Sequence, residues 1–189
     1  MLKHGDVELR PIRRRDASTW ERLRRENADW LNRWEATLPS EAAGGAQSYP
    51  QIVRGLRRQA RDGRAFPFVI CYQNKMVGQI TVSGITWGSA RWASTGYWIA
   101  RSHAGRGITT LAVAMVTDHC FSTVGLHRME IAIRPENTAS LRVVEKLGFT
   151  RIGVAPRYLH IDGGWRDHVL FALCAEDVPD GLVRRLASP

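Results

Sequence analysis

The chain has 189 residues, of which 44% are hydrophobic, and a formal net charge of +9. This length supports one domain with a sizeable core. No apolar run approaches the roughly 20 residues needed to span a bilayer. Residues 1–6 lack the apolar stretch of a signal peptide, so we expect a cytoplasmic protein without membrane contact. Arginine carries almost all of the positive charge, which favours anionic partners such as a nucleotide, RNA or a ribosomal surface.

Three cysteines, Cys71, Cys120 and Cys174, are far apart in the chain. Their odd number and wide spacing match no disulfide framework and no metal-ligand spacing. Two lie in apolar strand-like runs and one on a predicted helix, where a free cysteine packs as a small hydrophobic side chain. We therefore expect buried thiols and no metal site.

The first third of the chain is mostly helical in its pattern. Alternation predicts a strand over 7–12, and Asp16 is placed to cap the helix that follows. A second short helix is expected around 30–34, followed by a loop over 36–48 that contains one proline and two glycines. A third helix over 49–62 exposes four arginines, the pattern of a solvated face, at Arg54, Arg57, Arg58 and Arg61.

The pattern then becomes that of a sheet with interspersed helices. The predicted elements are strands over 65–72, 77–86 and 92–100, a helix over 107–123, a strand over 128–134, a helix over 138–147, and strands over 150–161 and 165–174. Gly148 suits the left-handed position after a helix. No repeat or linker interrupts the series, so we expect a single α+β domain over 1–189.

A glycine-rich turn precedes the apolar helix that is predicted at 107–123. Gly105 and Gly107 let the backbone bend and let a phosphate approach its N–H groups, and the unpaired donors of a helix start favour anions. Arg106 adds a positive charge and Thr109 a hydroxyl. The turn lacks the lysine of a P-loop and the third glycine of a dinucleotide fingerprint. By itself it could also be a turn that merely starts a helix.

The wider sequence resembles the GNAT acetyltransferases and, within them, the RimJ/RimL ribosomal-protein N-acetyltransferases. Residues 104–109 stand where the family has Gln/Arg-x-x-Gly-x-Gly/Ala, with Gly107 as the central glycine, although Ala104 and Thr109 depart from the first and last motif residues. The second half matches more specifically, through Gly-Leu-His-Arg at 125–128, Asn-x-x-Ser at 137–140, Glu-Lys-Leu-Gly-Phe at 145–149 and a C-terminal hairpin with Arg-Tyr-Leu at 157–159 and Trp-Arg-Asp at 165–167.

The resemblance implies a GNAT fold, in which a mixed, mostly antiparallel sheet is flanked by helices and splays apart after its fourth strand. It implies acetyl-CoA as the cosubstrate. Backbone groups of Trp98, Ile99 and Ala100 would pair with the pantetheine arm, and an N–H near Ile99 would polarise the thioester carbonyl. The pyrophosphate would lie on Gly105, Arg106, Gly107, Ile108 and Thr109.

Asn137 and Ser140 match the Asn-x-x-Ser of the family. Asn137 would hold the pantetheine or a water, and Ser140 would hydrogen-bond the departing sulfur. A local interpretation is also open, with Asn137 as a helix cap and Ser140 in the first turn. Tyr158 is expected to line the catalytic site.

The acceptor side is expected to include Trp30, Trp34, Glu35, Tyr49 and His160. Glu35 would attract a cationic N-terminus, whereas the two tryptophans could instead be core residues at helical spacing and His160 a surface residue. The fourth strand offers no carboxylate as a general base. Because an α-amine has a pKa of about 8, a relay through water would suffice.

The sequence therefore predicts transfer of an acetyl group to a protein N-terminus, with a ribosomal-protein alanine as the typical acceptor of the family. The alternatives are an acetyltransferase for a small amine, such as a polyamine or antibiotic, and an inactive GNAT domain that only docks on the ribosome. A peptide needs an open groove between 36–48 and 158–165, and a small amine needs a closed acidic pocket. Sequence-specific nucleic-acid binding is not expected, because no recognition motif is present.

Overall fold

The computed structural model describes residues 1–39 and 48–187; the part of the predicted loop at 40–47 lies outside the described residues. The strands are β1 Leu2–His4, β2 Val7–Pro11, β3 Phe66–Tyr72, β4 Lys75–Thr86, β5 Trp92–Ile99, β6 Arg128–Ile133, β7 Thr150–Ile161 and β8 Gly164–Cys174. The helices are α1 Ala17–Glu26, α2 Ala28–Leu31, α3 Tyr49–Arg61, α4 Ile108–His119, α5 Thr138–Leu147 and α6 Leu182–Ala187. Within the described residues, every helix is too short or too polar to cross a membrane.

Eight strands of the described residues form one sheet in the order β1-β2-β3-β4-β5-β6-β8-β7. All neighbours are antiparallel except β5 and β6. These two pair only from Trp92–Ser94 to Arg128–Glu130 and then diverge. The expected splay is therefore confirmed. The splay comes after β5 instead of after the fourth strand, because the structure has one strand, the short β1, before the four strands that the sequence predicts.

The larger core lies between the sheet and α4. This helix buries seven of its twelve residues, and a helix that is apolar on nearly all sides belongs in a protein interior. It packs with α5 on one face of the sheet, where Ile80 and Met129 are fully buried. The opposite face carries a smaller cluster beneath α1 and α3, which includes Leu23 and Val53. The sheet thus has helices on both faces, and each face can present side chains at the splay.

Two predicted details differ from the structure. The β3–β4 hairpin turns at Gln73 and Asn74, both with positive φ (48° and 64°), so β4 begins two residues earlier than predicted. Such turns match the twist of paired strands. Asp16 stands at the N-cap position of α1 as predicted, but its side chain makes no capping bond there, because the carboxylate accepts from the Arg13 amide at 2.8 Å and pairs with Arg10. Burial alone would raise the pKa of Asp16, but these contacts hold it below its usual value.

Two elements, β1 and α6, were not predicted. The amino end of α6 is held by Asp118 of α4, whose carboxylate accepts from the amides of Leu182 (2.7 Å) and Val183 (2.9 Å). The cysteine prediction holds for Cys71 and Cys120, which are buried free thiols, whereas Cys174 is only half-buried.

Candidate active site

A cleft of about 610 Å³ opens where β5 and β6 diverge. Its walls come from both faces of the sheet. Tyr97 of β5 packs against the larger core beneath α4, whereas its neighbour Trp98 packs against the smaller cluster on the other face. Both residues line the cleft. A molecule in the cleft can therefore be reached from the α4–α5 face and from the α1–α2 face.

The backbone of β5 presents alternate residues to the cleft. The Ala100 amide donates to Val77 of β4 at 2.8 Å, and the Ala100 carbonyl accepts from His103 at 2.9 Å. Because backbone groups alternate along a strand, those of Trp98 also face β4 and those of Ile99 face the gap. The expectation of backbone pairing is corrected for Ala100 and Trp98: Ala100 is engaged and does not line the cleft, and Trp98 lines it with its side chain.

The Ile99 carbonyl in this gap accepts a hydrogen bond from Trp30 Nε1 at 3.1 Å. This bond ties the α2 region to the strand that the cofactor would pair with. The Ile99 amide faces the same gap and remains the candidate donor to a thioester carbonyl.

The start of α4 forms one end of the cleft. Gly107 caps the helix at φ +77° and Gly105 has φ +73°, and nothing lies within 4 Å of where a Cβ on either would stand. The first backbone bond of the helix runs from Leu111 to Gly107 at 3.0 Å, which leaves the amides of Ile108 and Thr109 without a partner inside the helix. This open turn of unpaired donors suits an anionic group.

Basic side chains near this turn are placed differently from the prediction. Arg106 does not line the cleft; its guanidinium stacks over the Tyr72 ring at 4.7 Å and donates to the Tyr72 hydroxyl at 3.3 Å. Arg142 and Lys146 of α5 do line it. Sequence reasoning missed both, although their spacing of four residues on one helix places them on one face.

The start of α5 brings Asn137 and Ser140 to the cleft. Asn137 Oδ1 accepts from the Ser140 amide at 3.1 Å, so Asn137 caps the helix as the local interpretation has it, while both side chains also line the site. The nearby Tyr97 hydroxyl is sealed from solvent and has no hydrogen-bond partner among the described residues. Burial raises the pKa of Tyr97 to about 12; the Ser140 hydroxyl is close enough to oppose that rise but does not reach hydrogen-bonding geometry.

On the acceptor side, Trp30, Trp34 and Glu35 line the cleft. Arg134 donates to the Arg33 carbonyl at 2.7 Å and stacks over Trp34 at 5.4 Å, so it joins the α2 region to the end of β6. Sequence reasoning missed this arginine.

The Glu35 carboxylate forms an ion pair with Arg24. Arg24 in turn stacks over Trp20 and Trp98, at 5.4 and 5.6 Å. Burial lowers the pKa of Arg24. The negative charge of Glu35 therefore already has a cationic partner.

Besides Ala100 and Arg106, three more predicted residues are not among the described residues that line the cleft. Tyr49 is buried against Trp20, and its hydroxyl donates to the Arg13 carbonyl at 3.2 Å. Tyr158 of β7 is 48% exposed, and its ring packs 5.7 Å from that of His168. His160 Nδ1 lies 2.8 Å from the Thr37 hydroxyl and fastens the chain after α2 to β7. Tyr49 is therefore a packing residue, and His160 anchors the chain after α2. In their neighbourhood the cleft is lined instead by His168, which no pattern in the sequence indicated.

Together, a splayed mixed sheet, a strand edge facing the gap and an open helix start define a class of enzymes that transfer acyl groups from coenzyme A. The family model of the acetyltransferase (GNAT) domain matches residues 6–150. The chain belongs to the GNAT acetyltransferases and is an acetyl-CoA-dependent N-acetyltransferase. The unpaired amides at the start of α4, with Arg142 and Lys146 nearby, fit the phosphates of that cosubstrate.

Among curated proteins, the chain is 30% identical to the probable N-acetyltransferase YjcK of Bacillus subtilis, over 94% of this chain and 98% of that protein. It is 29% identical to the ribosomal protein uS5-alanine N-acetyltransferase of Escherichia coli, over 92% and 90%. Among solved structures, Mycobacterium smegmatis RimJ in complex with CoA-disulfide superimposes with a TM-score of 0.90 at 45% identity, over 96% of this chain and 88% of that chain.

Proposed function

We propose that this enzyme acetylates the α-amine of a protein N-terminus, with a ribosomal-protein alanine as its acceptor. The names of the Escherichia coli relative and of a similar Vibrio fischeri structure, a ribosomal-protein-S5-alanine acetyltransferase at 30% identity and a TM-score of 0.82, support this acceptor. On this proposal, residues 1–189 form one catalytic domain that acts in the cytoplasm, where ribosomal proteins are made.

The charge of the residues that line the cleft is the observation that favours a peptide acceptor over a polyamine. Among the described residues that line it, Glu35 is the one carboxylate, and it is paired with Arg24. Three further lining residues, Arg134, Arg142 and Lys146, are basic. A polyamine carries several positive charges and needs several carboxylates, whereas a peptide N-terminus carries a single charge. The cleft therefore favours the peptide.

When bound, acetyl-CoA supplies the thioester carbon that an amine attacks, and coenzyme A is the thiol that leaves when the C–S bond breaks. The residues of this chain hold and polarise it: the amides at the start of α4 bind phosphate, and the Ile99 N–H faces the gap as an oxyanion donor. Asn137 orients the arm. Ser140 donates a hydrogen bond to the departing sulfur.

The test is a thiol-release assay with acetyl-CoA and matched peptides. Peptides that begin with alanine or serine should be acetylated, and the same peptides with a blocked α-amine and a free internal lysine should not. An α-amine has a pKa of about 8 and a lysine side chain one of about 10.4, so the α-amine is the more easily deprotonated of the two at neutral pH. Mass spectrometry that places the acetyl group on the lysine would contradict the proposal. Reaction with spermidine and with no peptide would favour the small-amine alternative.

A further inference from the structure

One titratable side chain in the cleft has no role in the chemistry above. His168 of β8 is 2% exposed and lines the cleft. In the β7–β8 register, Leu159 pairs with Arg166 and Ile161 with Gly164. Since alternate residues of a strand share a face, His168 lies on the face of Leu159 and Ile161. Both of these also line the cleft, and the α2 region approaches them through the bridge between Ala36 and Ile161. His168 therefore faces the acceptor side.

The hydrogen bonding of the His168 ring fixes its tautomer. Nδ1 lies 3.0 Å from the Arg166 carbonyl oxygen. A carbonyl oxygen can only accept, so Nδ1 carries the hydrogen and Nε2 of the neutral ring keeps its lone pair. No other hydrogen bond to this ring occurs among the described residues. Nε2 is therefore a free acceptor and a base.

The surroundings of His168 favour the neutral ring. Burial lowers the pKa of His168, and Arg134, at the end of β6, lowers it further. The Arg166 carbonyl, Glu136 and Asp167 act in the opposite direction without reversing the shift. The Tyr158 ring of β7 packs 5.7 Å from the imidazole. A histidine with a pKa below its usual 6.5 is unprotonated at neutral pH and ready to take a proton.

We infer that His168 is the general base of the reaction and accepts the proton of the acceptor ammonium at Nε2, directly or through one water. The inference rests on the proposed function. One ammonium proton moves to Nε2, the amine nitrogen forms the C–N bond to the acetyl carbon, and the C–S bond breaks. The second proton leaves the nitrogen and reaches the sulfur, and the first is later released from Nε2 to water.

This role explains how an enzyme can use the ammonium form. Because an α-amine has a pKa of about 8, only about a tenth of it is neutral at pH 7. Without a base, kcat at saturating peptide should fall with the protonation of the bound amine, below about pH 8. With His168 as base, the fall should begin only below the lowered pKa of the imidazole.

The experiment is the pH dependence of kcat for an alanine peptide with His168→Asn. Asparagine keeps a side-chain nitrogen that can donate to the Arg166 carbonyl but lacks the Nε2 base. In wild type, kcat should fall with decreasing pH only below pH 6.5, and in the variant this fall, the acidic limb of the profile, should begin near pH 8. The variant should therefore be about tenfold slower than wild type at pH 7 and equally fast by pH 9. His119→Asn is the matched control and should keep the wild-type limb, because His119 is a half-buried histidine of α4 outside the cleft whose pKa is also lowered by burial.

Two further measurements separate a base from a packing residue. A peptide whose terminal amine is replaced by an aminooxy group is uncharged at neutral pH, so its rate should be the same for wild type and His168→Asn. The ring ¹⁵N shifts of wild type, which need no variant, should show the Nδ1–H tautomer and a pKa below 6.5. An Nε2–H tautomer, an unmoved limb or an equal loss with the aminooxy peptide would overturn the inference. Wild type that acetylates no α-amine would instead overturn the proposed function.

Discussion

The hydroxyl of Tyr97, which lies beside Ser140, is buried without a hydrogen bond to any described residue and therefore lowers the stability of the fold. A buried polar group without a hydrogen bond destabilises a protein by about 1–3 kcal/mol. Because this hydroxyl lies beside Ser140, the proposed donor to the departing sulfur, we interpret the two hydroxyls as a proton relay. A turn of the Ser140 side chain would bring them within hydrogen-bonding distance, and Tyr97 would take up the second amine proton as it returns one to Ser140. Removal of this hydroxyl should therefore affect stability and catalytic rate differently.

We therefore predict that Tyr97→Phe is at least as stable as wild type but slower by about a hundredfold in kcat, because general-acid contributions are of this order or larger. Thermal unfolding and thiol release measure the two effects. In a Ser140→Ala background, which should itself lower kcat more than acetyl-CoA affinity, Tyr97→Phe should have no further effect on the rate.

Thr117 supplies the matched control for this prediction. Its hydroxyl is the other sealed oxygen without a partner among the described residues, and it lies on α4 outside the cleft. Thr117→Val should likewise preserve stability and should leave kcat unchanged. A Tyr97→Phe enzyme with full activity would remove the hydroxyl from the mechanism.

Sequence patterns located only some of the residues that form this site. Asn137 and Ser140 follow from a motif whose members are close in sequence. The roles of Tyr97, Arg134 and His168 depend on which strands meet at the splay, and each looks like an ordinary strand or turn residue beforehand. Tyr49 and Trp30 belong to the same predicted region, yet only Trp30 reaches the cleft, because the packing of α1 against α3 turns Tyr49 into the core.

At the scale of the elements, an irregularity in β4 positions the strand edge that faces the cleft. Ile70 pairs with Gly78 and Cys71 with Met76, so Val77 is an extra residue that forms a bulge. A Cβ on Gly78 would stand 2.3 Å from the Trp98 carbonyl oxygen and 3.0 Å from Ile99 Cα. The close approach of β4 and β5 at the cofactor edge therefore requires glycine.

We predict that Gly78→Ala pushes β5 away at Ile99, because the clash is with backbone atoms. The cost should be about 1–3 kcal/mol of unfolding free energy, as for other overpacked sites, together with a raised Kd for acetyl-CoA. Chemical denaturation and calorimetry measure the two. Gly153→Ala in β7, where nothing lies within 4 Å of the added Cβ, is the control and should change neither. Normal acetyl-CoA affinity in Gly78→Ala would show that the position of β5 does not matter for binding.

Alternation and helical periodicity predicted most elements because each has enough residues to show its period. The exceptions depend on contacts that are distant in sequence. The helix α6 has only six residues and is capped by Asp118, and β1 has three residues and exists because β2 is beside it. The bulge at Val77 leaves no pattern that distinguishes it from a regular strand.

At the scale of the whole molecule, one groove brings together arginines from separate parts of the chain. A groove of about 700 Å³ between α3 and the ends of β2 and β3 is lined by Arg13, Arg14, Arg54, Arg57 and Arg61. None of these five arginines forms an ion pair with a described residue. The sequence showed the arginines of α3 as a solvated face; the fold adds Arg13 and Arg14 to it. Such a groove suits the phosphates of an RNA-rich particle.

We predict that Arg54→Glu, Arg57→Glu and Arg61→Glu together weaken binding to ribosomal particles and flatten its salt dependence, by about 0.7–0.9 in the log–log slope for each phosphate that the variant no longer neutralises. Sedimentation at several salt concentrations measures this. The kcat/KM for short peptides should not change. Arg151→Glu, on the edge strand β7 at the other end of the sheet, should leave binding intact. Equal binding of the triple variant would show that the enzyme reaches its acceptor without this groove.

The forked sheet has a consequence for the lifetime of the protein in the cell. Only three residue pairs join β5 to β6, so on the proposed placement a bound acetyl-CoA would close a ladder that the chain leaves open. A ligand that binds only the folded state stabilises it by about 2.7 kcal/mol at a hundred times its Kd, against a typical total of about 5–15 kcal/mol. Occupancy of the cleft would then set how long the enzyme escapes proteolysis, as well as how fast it works.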